Sequence, residues 1–132
     1  MCKNIVVTGG AGFIGSHLVD FLIKKNYKVT VIDNLSTGKK ENLKNSINRI
    51  RFIKANITNT KKIINYFKKV DYVFHLAALA DIVPSIQKPD EYFKSNVEGT
   101  LSVLECCRKY KIKKLISEQK KDFTGKCSIH SQ

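Results

Sequence analysis

Gly9, Gly12 and Gly15 recur every third residue in Val7-Thr8-Gly9-Gly10-Ala11-Gly12-Phe13-Ile14-Gly15-Ser16-His17-Leu18, and the next apolar segment, Val29-Thr30-Val31-Ile32, ends in Asp33. The glycine group is suited to holding a pyrophosphate with main-chain atoms. Gly9 supplies the dihedrals of a tight turn, Gly12 lets the backbone approach the phosphates, and Gly15 lets a helix pack closely on a strand. Free N–H groups at that helix start then face the anion. Asp33 stands about 20 residues on, where a carboxylate accepts both hydroxyls of an adenosine ribose and repels a 2′-phosphate, which favours NAD over NADP. Taken alone, Asp33 is also an ordinary cap for the turn Asn34-Leu35-Ser36-Thr37-Gly38.

Such a loop works only between a strand and a helix. Ile5-Val6-Val7 precedes it, and Phe13, Ile14, His17, Leu18, Phe21 and Leu22 follow at helical spacing. Along the chain, strands are expected at Asn4–Thr8, Lys28–Ile32, Arg51–Lys54, Tyr72–Leu76 and Lys113–Ile116. Helices are expected at Gly12–Lys25, Thr60–Lys68 and Asp90–Tyr110, the last starting just after Pro89. This alternation implies an α/β fold, a Rossmann-like doubly wound parallel sheet of strand order 3-2-1-4-5. The sheet is expected to be incomplete at its C-terminal edge, where strand five lacks a neighbour. A chain of 132 residues holds one domain. Residues 1–116 are expected to form a partial NAD-binding domain, and 117–132, which show no apolar period, an unrelated disordered tail that adds no sixth strand.

Four motifs in order, Thr8-Gly-Gly-Ala-Gly-Phe-Ile-Gly15, Val31-Ile-Asp-Asn-Leu-Ser-Thr-Gly38, His75-Leu-Ala-Ala78 and Asn96-Val-Glu-Gly-Thr100, resemble those of extended short-chain dehydrogenases. Within that group the chain is similar to NAD-dependent nucleotide-sugar epimerases and dehydratases, above all the UDP-glucose 4-epimerase type. The similarity covers Lys3 to Ile116 and then stops. It implies that Gly9, Gly12, Phe13 and Ile14 form the pyrophosphate loop and that Asp33 and Asn34 contact the adenosine ribose of NAD. Asn56-Ile57 stands where the family has Asp and an aliphatic residue against the adenine; the Asn56 amide oxygen can still accept from the adenine amino group, without charge. Leu76, Ala77 and Ala78 match the segment beneath the cofactor, and Asn96 matches a residue that shapes the active-site side of the long helix. Read from the residues alone, Ala77 and Ala78 would be strand-end packing and Asn96 a solvated helix residue.

Enzymes of this family use a Ser or Thr just after strand five and a Tyr-x-x-x-Lys on the following helix. The tyrosine is the acid/base for the sugar hydroxyl, and the lysine on the same helix face lowers its pKa. After Ile116 this chain reads Ser117-Glu-Gln-Lys-Lys-Asp-Phe-Thr-Gly-Lys-Cys-Ser-Ile-His-Ser-Gln132, without a tyrosine. Tyr110-Lys111-Ile112-Lys113-Lys114 has the spacing but runs from a helix end into a strand, and Ser117 arrives too early. No catalytic residue is therefore assigned. The expected function is that of the NAD-binding portion of a UDP-glucose 4-epimerase-like enzyme, catalytically incomplete as written, the nucleotide-sugar substrate being bound only in a full-length relative. A truncation or frame change in the coding sequence is expected to leave such a switch, and downstream DNA would then continue in frame to a Tyr-x-x-x-Lys. The alternative is a non-enzymatic NAD-binding module or degenerate fragment acting through a full-length partner.

A formal net charge of +13 permits a third reading, a basic nucleic-acid binder. The lysines, however, are scattered in pairs such as Lys24-Lys25, Lys39-Lys40, Lys61-Lys62 and Lys68-Lys69, and arginine is sparse. No specific nucleic-acid recognition is expected from that pattern. Cys2, Cys106, Cys107 and Cys127 show neither metal spacing nor a disulfide framework, and His17, His75 and His130 are too scattered for a metal site. With no signal peptide and no membrane-length apolar run, a cytoplasmic location without membrane partners is expected, and homo-oligomerisation stays open.

Overall fold

Along β1 (Asn4–Thr8) the side chains alternate between two cores, Ile5 and Val7 entering one and Val6 the other, all at most 2% exposed. A strand buried on both faces is what a parallel sheet between two helical layers requires, and it explains the unbroken apolar run. The structure, a computed structural model, describes residues 2–77, 90, 94–117 and 128–130. After β1 come α1 (Phe13–Lys24), β2 (Lys28–Asp33), β3 (Arg51–Lys54), α2 (Thr60–Ile63), β4 (Tyr72–His75), α3 (Gly99–Lys109), β5 (Lys114–Ser117) and β6 (Ser128–His130). Short 3₁₀ turns, Lys40–Leu43 and Ile47–Arg49, replace a helix between β2 and β3.

The sheet has the order β3-β2-β1-β4-β5-β6, parallel through β5, so the expected order of the first five strands holds. On one face Val19, Leu22 and Ile23 of α1 pack on Ile5, Val7, Val29 and Val31. On the other, Val103, Cys106 and Cys107 of α3, with Ile63 and Phe67, pack on Val6, Ile32, Val73 and Leu115. The strands end in register: Thr8 lies beside Ile32 and His75, Asp33 beside Lys54, and His75 beside Ser117. The chain turns to opposite sides of β1 at this rim, the switch point at which doubly wound sheets bind ligands.

Two expectations are corrected. A sixth strand exists: Ser128–His130 runs antiparallel to β5, Ile116 opposite Ser128 and Lys114 opposite His130. An open edge offers backbone N–H and C=O groups to any extended segment, whatever its hydrophobic pattern, so the missing apolar period in 117–132 did not forbid pairing. The helix expected at Thr60–Lys68 is α-helical only to Ile63 and tightens into a 3₁₀ turn at Ile64–Phe67, a common way for a helix to end. Among the described residues of the long helix, a π-turn at Lys94–Glu98 precedes α3; Pro89 lies outside the described residues. Asn26 and Lys111, with φ of 66° and 53°, close α1 and α3, the next N–H in each case reaching back to Leu22 O and Cys107 O. No helix among the described residues is long and apolar enough to cross a membrane.

Candidate functional site

The rim above β1 is assembled from the glycine loop, the Asp33 turn and the start of the Leu76–Ala77 segment. Gly9 has φ +74°, and a Cβ there would come 2.6 Å from Ala77 N and Leu76 C, so only glycine allows the loop to lie on that segment. Gly12 N–H closes the turn onto Gly9 O at 3.2 Å. Gly12 itself is different: φ is −76°, and a Cβ would meet only Gly9 O, at an ordinary 3.4 Å. Among the described residues outside its immediate neighbours, no other atom lies within 4 Å of that Cβ position.

That space adjoins the start of α1, whose first turn carries no acid and no side-chain cap. The N–H groups of Phe13 and Ile14 meet no acceptor among the described residues, and both side chains are exposed, 77% and 55%. An uncompensated helix N-terminus concentrates partial positive charge on those donors and favours an anion.

Asp33 is buried, yet its carboxylate is not spent on a cation. Oδ2 accepts the Ala11 N–H at 3.0 Å and Oδ1 the Leu35 N–H at 2.7 Å, so one side chain ties the glycine loop to the turn after β2. Leu35 sits at φ +62°, a conformation an ordinary side chain takes only under constraint, and Asn34 Oδ1 accepts the Ser36 N–H at 3.0 Å. A carboxylate has about four acceptor positions, so Asp33 retains capacity for hydroxyl donors.

Beneath the loop, a hydrogen-bond chain fixes the strand ends. Thr100 Oγ1 donates to Asn96 O at 2.6 Å, so it must accept from His75 Nε2–H at 3.0 Å. His75 Nδ1 is then the acceptor for the Thr8 hydroxyl at 2.7 Å, and Thr8 Oγ1 in turn accepts the N–H groups of Leu76 at 3.1 Å and Ala77 at 3.3 Å. One tautomer satisfies every member. Burial pushes the His75 pKa down to about 4, which keeps that neutral tautomer in place. This hydrogen-bond chain joins β1, β4 and α3, and sequence reasoning missed it because His75 meets Thr100 across 25 residues and Thr8 across 67.

The remaining predicted positions lie further off. Ile57 is buried, its Cδ1 where a Cβ on Gly99 would stand at 2.5 Å, which makes it part of the packing under α3. Asn56 is exposed, and its Oδ1 already accepts from Thr58 N at 3.0 Å and Thr58 Oγ1 at 2.8 Å. Both lone pairs are then engaged, so the Asn56 amide nitrogen rather than its oxygen is the group left for a ligand. Asn96 is half-buried in the π-turn. Ala78 lies outside the described residues. Tyr110 ends α3 and Lys114 belongs to β5, so that pair shares no helix face.

The comparisons agree with this geometry. The model of the NAD dependent epimerase/dehydratase family matches residues 5–118. The UDP-N-acetyl-alpha-D-glucosaminuronate decarboxylase of Bacillus cytotoxicus is 35% identical over 126 residues, 96% of this chain and 39% of that protein. Among solved structures, the UDP-glucose 4-epimerase of Thermotoga maritima with UDP-glucose is 45% identical with a TM-score of 0.82, covering 87% of this chain and 37% of that one. The UDP-glucose 4-epimerase of Thermus thermophilus in complex with NAD is 37% identical with a TM-score of 0.79, covering 86% and 36%. The chain thus spans under two-fifths of the length of each. With its glycine loop open at Gly12, a buried acid at the end of β2 and a family match over residues 5–118, the chain belongs to the NAD dependent epimerase/dehydratase family, of which it carries the NAD-binding portion.

Proposed function

We propose that this chain binds NAD at the rim above β1 and serves an enzyme that acts on a UDP-linked sugar. The observation that carries the reading is the space beside Gly12: a Cβ there would touch nothing closer than 3.4 Å, while the adjacent Phe13 and Ile14 N–H groups point at no acceptor among the described residues. Glycine is required at that position by what approaches from outside. Phe13 and Ile14 would hold the pyrophosphate oxygens, Asp33 and Asn34 the adenosine ribose, and Leu76–Ala77 would floor the cofactor. When bound, the nicotinamide supplies hydride transfer to and from a sugar carbon.

The chain's own residues do the binding and orienting. Asp33 anchors the ribose with the same carboxylate that fixes Ala11, so cofactor contact and loop geometry are set together. Relatives with decarboxylase and epimerase names match this portion alike, which supports a shared cofactor role rather than a substrate role. No residue of the 132 given is proposed as the family's acid/base tyrosine, since Tyr110 closes α3 ahead of β5. A reducing compartment such as the cytoplasm fits the free thiols of Cys106 and Cys107, whose burial pushes them up to about 11 and about 12.

Calorimetric titration of NAD and NADP into the chain, followed by an assay with UDP-glucose, tests this. Saturable NAD binding at least about tenfold tighter than NADP, with no turnover, is expected, since the ribose acid repels the extra phosphate. Equal affinity for both dinucleotides would remove Asp33 from the ribose site, and turnover would show that acid/base groups are present after all.

A further inference from the structure

The segment after the Asp33 turn touches the glycine loop in a way that ribose binding does not explain. Gly38 lies flush on it: a Cβ there would come 2.7 Å from Ala11 C and 3.0 Å from Gly12 N. The Ala11 carbonyl accepts two hydrogen bonds from this segment, Lys39 N–H at 3.0 Å and Asn42 Nδ2 at 2.8 Å. Asn42 stands in the 3₁₀ turn Lys40–Leu43, whose Leu43 is fully buried in the α1 core and whose Asn42 N–H bonds to Lys39 O at 3.0 Å. A buried anchor therefore sets where an exposed amide side chain points.

We infer that Asn42 is a positioning residue for the pyrophosphate site. The Ala11–Gly12 peptide is held at both ends, its C=O by Asn42 and Lys39 and its Gly12 N–H by Gly9 O, while Asp33 holds the N–H of the peptide before it, so it has one orientation. In that orientation the negative carbonyl end is turned into the Gly38–Asn42 segment, where both of its donors lie. This peptide leads directly into the Phe13 and Ile14 N–H donors, and a carbonyl free to tilt toward them would set partial negative charge against a bound anion and oppose the helix N-terminus. Asn42 supplies one of the two bonds that prevent this, and its amide is the only side chain among the described residues bonded to that carbonyl. The inference rests on the NAD reading and adds to it a residue that touches no part of the cofactor.

The test compares Asn42→Asp, which places a carboxylate against the Ala11 oxygen, and Asn42→Ala with the unmodified 132-residue chain, by titrating ADP-ribose and adenosine and recording melting curves. One lost hydrogen bond corresponds to about 3- to 10-fold. ADP-ribose affinity should fall by about that factor in Asn42→Ala and further in Asn42→Asp, with adenosine affinity little changed from the unmodified chain, because only the pyrophosphate meets the reoriented peptide. Equal losses for both ligands would reduce Asn42 to general stability, and no loss for either would overturn the inference. Asn42→Ala changes one exposed side chain and carries the test if Asn42→Asp does not fold. Failure of the unmodified chain to bind ADP-ribose would overturn the NAD reading itself, a result distinct from unchanged affinity in the variants.

Discussion

Replacing Gly12 by alanine separates a ligand requirement from a folding requirement. The backbone at Gly12, φ −76° and ψ 175°, is open to any residue, and the new methyl would meet Gly9 O at 3.4 Å. Two small terms act on the fold. Alanine lowers the entropy of the unfolded chain, worth about 0.4–1 kcal/mol in favour of the variant, whereas as a helix N-cap it is poorer than glycine by a similar amount. Stability should stay within about 1 kcal/mol of the unmodified chain, a melting shift of no more than about 5 °C. Binding has no such offset. A methyl in the phosphate approach overpacks it at a cost of about 1–3 kcal/mol, or about 5- to 150-fold in affinity. Calorimetric NAD titration and a melting curve on one sample give both numbers. Gly15→Ala is the contrast: its Cβ would overlap Gly9 O and stand 2.8 Å from Gly10 Cα, so the fold itself should lose stability. A folded Gly12→Ala chain that binds NAD as tightly as the unmodified one would refute the reasoning.

Asp33→Ala should lower stability by about 1–3 kcal/mol, since the Ala11 and Leu35 N–H groups lose their acceptor. Asp33→Asn should cost less but bring NAD and NADP affinities together, as competition binding would reveal. The folded-state pKa of His75, about 4, lies below its ordinary 6.5, so its contribution is fully present above pH 6.5 and lost as pH falls toward 4. The shift corresponds to about 3 kcal/mol, and His75→Gln should flatten the stability profile over that window in calorimetry from pH 4 to 6.5. Lys111→Gly should raise the melting temperature by a few degrees, about 0.5–1 kcal/mol, because Lys111 holds φ +53° at the end of α3 where glycine is unstrained; a lower melting point would show that its side chain contributes packing.

What the sequence disclosed was what neighbouring residues encode. The strand before Gly9, the helix after it and the acid at the end of β2 are each short-range patterns, and the alternation of elements fixed the order of five parallel strands. Asn42 was invisible for the opposite reason: it meets Ala11 across 31 residues, and an exposed Asn between Glu41 and Leu43 carries no period or motif. The Thr8–His75–Thr100 chain was hidden likewise, since a histidine at a strand end does not announce which hydroxyls will face it. Ile57 was read toward a ligand through family likeness, whereas its packing against Gly99 depends on how α3 crosses the sheet. β6 escaped because pairing at an open edge follows from backbone groups rather than side-chain alternation.

The most direct test of the site is an NMR titration of NAD into the ¹⁵N-labelled chain, following the backbone amides of Gly12, Phe13, Ile14 and Leu35. Saturating shifts concentrated on these residues, with the largest at Phe13 and Ile14, are the predicted result. A folded chain whose Phe13 and Ile14 amides stay unmoved, whether or not other signals shift, would contradict the assignment of the glycine loop to the pyrophosphate.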